Sequence, residues 1–191
     1  MKRILILLAL IIVGVTSAQA QTKEFLELFN SVKSNVERSI LYNSSSYSGV
    51  EVAQYPADML RVMGVKELPN SRNILGNLKM IYQIKISFQP KDKGYANSVY
   101  RNFSSLTYSK RKPKLYEQCM CQTSNKKEFR VYKAIKKRGQ SLNEYMIFIR
   151  DDNKGMICDI VGYMGVESIM TMLSPELKNY VKEDTLNISN K

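Results

Sequence analysis

The stretch Tyr116-Glu-Gln-Cys-Met-Cys-Gln122 sets two cysteines one residue apart in a chain whose only other cysteine is Cys158. Thiols join as disulfides, exchange electrons as reactive dithiols, or ligate soft metals. If Leu115–Gln122 is a strand, its side chains repeat every two residues, so Cys119 and Cys121 face the same way. Cys158 lies in Met156-Ile-Cys-Asp-Ile-Val-Gly162, where Met156, Cys158 and Ile160 share a face. If the two strands are neighbours, their Cα atoms fall within the roughly 4.4–6.8 Å that a disulfide needs. The pattern predicts one structural disulfide, Cys158 with Cys119 or Cys121, and one leftover thiol. A redox pair wants a thiol of lowered pKa beside a cation. Lys114 and Lys126 are near in sequence, but the spacing is not Cys-x-x-Cys. A metal site built on the three thiolates needs a fourth ligand, for which Asp159 is the candidate. Three buried, inert thiols are the remaining alternative.

Other chemistry is sparse. The 191 residues contain no histidine and no tryptophan. Without histidine there is no Ser-His-Asp or Cys-His nucleophile, no imidazole metal ligand, and no general base with an ordinary pKa near neutrality. No glycine-rich phosphate loop and no Gly-x-Ser-x-Gly elbow occurs. Asp151-Asp152-Asn153 starts like a calcium loop but lacks the alternating acidic positions and closing glutamate, so it reads as a hairpin turn. These absences predict a non-enzymatic protein with no catalytic residue, metal or cofactor.

One charged stretch stands out. Lys126, Lys127, Arg130, Lys133, Lys136, Lys137 and Arg138 are interrupted by a single acid, Glu128. Together with Tyr132 they could bind an anionic polymer or lipid surface. Lysines on a strand also act as solvated guards against edge aggregation. No zinc-finger or RNA-binding signature points to specific nucleic-acid recognition.

The elements that position these residues follow from apolar spacing. Phe25, Leu28, Phe29, Val32, Val36 and Ile40 recur at helical steps, with Thr22 as the cap. Val50-Glu-Val-Ala-Gln-Tyr55 reads as a short strand, and Pro56 opens a helix that Gly64 closes. In Leu78–Phe88, Met80, Tyr82, Ile84, Ile86 and Phe88 alternate with Lys79, Gln83, Lys85 and Ser87, the signature of a half-buried strand. Tyr95, Val99, Phe103 and Leu106 mark a second helix. Four strands follow: Leu115–Gln122, Glu128–Gly139, Leu142–Arg150 and Met156–Gly162. The third is apolar on both faces and belongs inside a sheet. Val166, Ile169, Met170 and Leu173 form a last helix, stopped before Pro175. The predicted class is α+β: a mixed or antiparallel sheet ending in a strand meander, with helices mainly on one face.

At the amino end, Lys2 and Arg3 precede the uncharged apolar run Ile4–Val15, and Ala18-Gln19-Ala20 provides small residues for cleavage. This is the pattern of a secretory signal peptide, too short for a span of ~20 residues. Cleavage after Ala20 lowers the formal charge from +12 by the two units of Lys2 and Arg3. The expected organisation is a signal at 1–20, an amphipathic helix and loop at 21–48, a single domain at 49–182 and a polar tail at 183–191. The protein is expected to be periplasmic or extracellular, with no membrane span once the signal is removed.

The order of Gly49–Gly64, the strand Met80–Phe88 and the stretch Glu128–Leu173, with Gly162 closing the last strand before the final helix, resembles the secreted bacterial family catalogued as domain of unknown function 4252. The resemblance implies export by a Gram-negative bacterium and no established activity, so it transfers no functional residue. The chain departs from that family in its long first helix, in lacking a lipidation cysteine, and in Cys119-Met-Cys121. These readings predict a non-catalytic interaction domain whose partner is an envelope protein. The alternatives are a basic module for an anionic polymer or lipid surface, and a thiol oxidoreductase at Cys119 and Cys121.

Overall fold

The computed structural model describes residues 22–42, 49–60, 62, 76–89, 93–108, 114–124, 127–136 and 140–171. The predicted signal, positions 61 and 63 of the helix after Pro56, and the tail lie outside these. Two long helices, α1 (Lys23–Leu41) and α2 (Lys93–Tyr108), accompany six strands: β1 (Val50–Pro56), β2 (Leu78–Ser87), β3 (Tyr116–Ser124), β4 (Lys127–Ala134), β5 (Asn143–Arg150) and β6 (Lys154–Gly162). They form one sheet in the order β1-β2-β6-β5-β4-β3, antiparallel at every step. The class is α+β, and the C-terminal meander of β3 to β6 is present. Among the described residues no helix is long and apolar enough to cross a membrane.

The alternation read in Leu78–Phe88 does what a half-buried strand requires. Tyr82, Ile84, Ile86 and Phe88 join the core beneath the helices, with Phe25, Phe29, Val99, Phe103 and Phe148. The rings there meet edge to face, Phe29 on Tyr82 at 4.7 Å and Phe25 on Phe103 at 5.3 Å between centroids. Such pairs add stability beyond the area they bury. Through Phe25 and Phe29, α1 shares this core. The apolar stripe of α1 stops earlier than its sequence suggests, because Ile40 is 74% exposed.

The other face of the sheet carries its own apolar cluster, including Phe129, Val131, Tyr145, Ile147, Cys158 and Ile160. Leu60, in a helical turn at 57–60, and Met164 and Ile169, beside or in a short helix at 166–171, pack against it. We call this the open face, because both long helices lie on the opposite one. The predicted turn at Asp151 forms, its Oδ1 accepting the amides of Asn153 and Lys154 at 2.7 and 2.6 Å.

Gly162 ends β6 where two backbones nearly touch. A Cβ there would lie 2.4 Å from the carbonyl oxygen of Asn77, the same oxygen that accepts the amide of Tyr163 at 2.9 Å. Backbone cannot step aside as a flexible side chain can. Gly162→Ala is therefore expected to cost about 1–3 kcal/mol. Urea unfolding measures this, and an unchanged midpoint would contradict it.

Candidate functional site

Strand order decides the fate of the cysteines. β3 and β6 are separated by β5 and β4. Three inter-strand steps of ~4.8 Å put about 14 Å between them, far beyond disulfide reach. Cys119, Cys121 and Cys158 are free thiols, the first two exposed and the third buried. The predicted bridge of Cys158 to Cys119 or Cys121 therefore does not form, because the two strands are not neighbours.

Cys119 and Cys121 do not share a face either. The β3–β4 register shifts between Gln118 and Met120, leaving Cys119 as the extra residue of a bulge. Beyond the bulge Cys121 pairs with Arg130, on the helix side, and lies 3.8 Å from Thr123 Oγ1. Cys119 instead lies where Lys133 and Tyr145 act on it electrostatically. These two residues are cross-strand partners on the open face. Burial, and then Glu117, push the Cys119 thiol above its ordinary pKa. That is the opposite of what a reactive thiol needs. A bulge inserts one residue and so reverses the alternation beyond it.

The basic stretch is divided in the same way. Lys127 and Lys133 stand two residues from Phe129 and Val131, so they share the open face with them, while Lys136 is exposed beyond the strand and donates to the carbonyl of Ser141. Arg130 points under the helices, 8% exposed. Its Nη2 contacts Glu128 Oε1 at 2.7 Å, its Nη1 donates to the hydroxyl of Tyr108, and its guanidinium covers the Phe148 ring at 5.6 Å. Tyr100 donates to the other Glu128 oxygen at 2.9 Å. Arg130 thus pins α2 to the sheet. Lys126, Lys137 and Arg138 lie outside the described residues.

A second buried polar cluster sits at the start of α1. Thr22 occupies the predicted cap position, but its side chain makes no capping bond. The Thr22 amide donates to Glu144 Oε2 at 2.8 Å, and its hydroxyl contacts Glu144 Oε1 at 3.1 Å and the Tyr116 hydroxyl at 2.5 Å. Tyr116 donates to the same Glu144 oxygen at 2.5 Å. Glu144 is 2% exposed and Asp159 is fully buried on the same side. Burial pushes the Glu144 carboxyl up to about 7, against the lowering effect of its Tyr116 and Thr22 partners. Sequence reading passed over Glu144 and named Asp159 only as a candidate fourth ligand to the three thiolates, a cluster that does not form among the described residues. The available signal was a lone carboxylate just before the apolar run Tyr145–Ile149 and another inside Met156–Val161.

A groove of about 570 Å³ lies at one end of the open face, lined by Glu51, Lys85, Ile149, Asp151, Lys154 and Met156 among others. Antiparallel register aligns Glu51, Lys85, Met156 and Ile149 in one row across four strands. The floor is apolar and the rim carries both signs of charge, a composition suited to binding. Among the described residues no group of histidine, cysteine, aspartate and glutamate is arranged to hold a metal ion. The Glu144 carboxyl ties the start of α1 to β3 and β5. Compared with known proteins, the chain matches no family model, no curated protein and no solved structure.

Proposed function

We propose that this chain is an exported, non-catalytic interaction domain that binds its partner across the open face of the sheet. The observation that carries the reading is the groove beside half-buried Ile149 and Met156, on the face opposite the two long helices. Half-buried apolar residues with a charged rim resemble the core and rim of a protein contact. The sequence supports the rest: a signal-like start favours export, and the lack of histidine disfavours acid–base and nucleophilic catalysis. The likeness to a secreted family without known activity agrees. Lys127 and Lys133 lie on the same open face, which keeps an anionic surface as a second reading of this face.

A photo-crosslinking residue at position 156, in the exporting host, is expected to give a discrete protein adduct. The same residue at Glu37, exposed on α1, is expected to give none. Equal labelling from both positions, or none from 156, would remove the reading. Salt-sensitive retention on an anionic matrix that Lys133→Glu abolishes would favour the second one.

A further inference from the structure

A second cavity, of about 470 Å³, opens between α2 and the end of β5. Gly94, Asn97, Arg101 and Ser104 line it from α2, at the three- and four-residue steps that align one helix face, and Tyr100 and Arg150 complete it. Arg150 stands two residues from Phe148 and so shares the helix side of the sheet with it. Its guanidinium lies over the rings of Phe88 and Tyr100, 4.4 and 4.8 Å from their centroids, and its Nη2 donates to Asn97 Oδ1 at 3.4 Å. Stacking on aromatic faces fixes the plane of a guanidinium and leaves its N–H edge to recognise a ligand. Asn97 accepts through its oxygen, so its amide nitrogen is still a donor. Arg101 is exposed one turn beyond Asn97. Ser104 Oγ is buried with no hydrogen-bond partner among the described residues, a state that a polar ligand relieves. The acid opposite Arg150 on β4, Glu128, has one oxygen on Arg130 and the other on Tyr100.

We propose that this cavity binds the phosphate group of a phosphate monoester, carried by a soluble metabolite or by a lipid headgroup. The planar fork of Arg150 takes two phosphate oxygens, Arg101 balances the second negative charge, and Asn97 and Ser104 donate to the remaining oxygens. Two guanidiniums match a dianion, which selects a monoester over a carboxylate or a phosphodiester of single charge. The site is separate from the open-face groove, because Arg150 and α2 lie on the other side of the sheet. It is separate also from Lys127 and Lys133, which share the open face.

Calorimetry of the purified protein at about pH 8, where a monoester is a dianion, uses inorganic phosphate and glycerol phosphate as soluble probes. Sedimentation with vesicles containing phosphatidic acid tests the lipid headgroup. The expected result is saturable binding of at least one probe, weakened about tenfold by Arg101→Gln. Arg150→Lys should weaken it further, since it keeps the charge and loses the planar fork. Arg150 also packs on two rings, so Gly94→Glu provides a variant that leaves this packing intact. A Cβ at Gly94 meets nothing within 4 Å, and an acid suits the first turn of a helix. The added carboxylate should abolish binding without lowering the urea midpoint. Lys133→Gln, on the open face, should bind as the wild type does. Binding of the soluble probes assigns a metabolite, and binding of the vesicles alone assigns a headgroup. The proposal is overturned if no probe binds, or if acetate or phosphatidylglycerol vesicles bind equally well. An affinity indifferent to both Arg101→Gln and Gly94→Glu would also overturn it.

Discussion

Glu128→Ala is expected to destabilise the protein by about 2–4 kcal/mol. The reason is what it leaves behind. Arg130 is nearly enclosed, and Glu128 is its only carboxylate contact within 4 Å among the described residues. Removing one partner of a buried ion pair strands the other charge in a poorly solvating site, which costs more than the pair contributes. The lost bond from Tyr100 adds to the deficit. Glu128 itself is 28% exposed in its side chain, which keeps the expectation below that of a fully buried pair. The check is a double-mutant cycle by urea unfolding. Arg130→Met alone should also destabilise, but Glu128→Ala with Arg130→Met should recover much of the loss, since no buried charge remains. If the two single effects simply add, the cluster does not work as a unit.

The second large effect is on pH. Glu144 has a folded pKa of about 7 against an ordinary value of 4.5, with burial the chief cause. The geometry favours the proton independently. Glu144 Oε1, the Tyr116 hydroxyl and the Thr22 hydroxyl form a ring of three close oxygen contacts at 2.5, 2.5 and 3.1 Å. Three hydrogen bonds need three protons. The hydroxyls supply two, and a protonated carboxyl supplies the third. The charged neighbours, Glu24 on α1 and Asp159 on β6, are acidic, and an added negative charge is unwelcome beside them.

The sign follows from proton counting. Between about 4.5 and 7 the folded state holds a proton that the unfolded state has released, so stability falls as pH rises through this window and levels off above it. The whole contribution amounts to about 3 kcal/mol. With no histidine in the chain, few other groups titrate in the window to obscure the slope. Urea midpoints at pH 5 and pH 8 should differ in the wild type. They should nearly coincide in Glu144→Gln, which keeps the shape and cannot ionise. A slope that survives the substitution would assign the effect to another group.

The parts of the fold that repeat along the chain were legible in the sequence. The two-residue alternation of Tyr82, Ile84 and Ile86, the doubly apolar run Tyr145–Ile149 and the helical stripe from Phe25 to Val36 each state which face is buried. Burial of alternate or every third and fourth residue is a local consequence of backbone geometry. The turn at Asp151 was equally readable, because an aspartate that accepts the following amides closes its own hairpin. Thr22 was correctly placed at the start of α1, but its chemistry was not, since its partners Tyr116 and Glu144 lie 94 and 122 residues away.

The cysteines mark the boundary most clearly. Their residue types, their spacing and their placement on strands were determined by the sequence alone, as were the lack of histidine chemistry and the α+β class. Whether β6 lies beside β3 or three strands from it is set by which strands pair. That choice depends on summed contacts between distant segments and leaves no period in one dimension. Whether Cys119 and Cys121 share a face depended on one inserted residue at Gln118–Met120, which the packing of Met120 over the open face and of Tyr116 under the helices imposes together. Sequence set the faces of each strand. Only the assembled sheet decided which strands meet, and so removed an internal staple and left two thiols exposed at an edge.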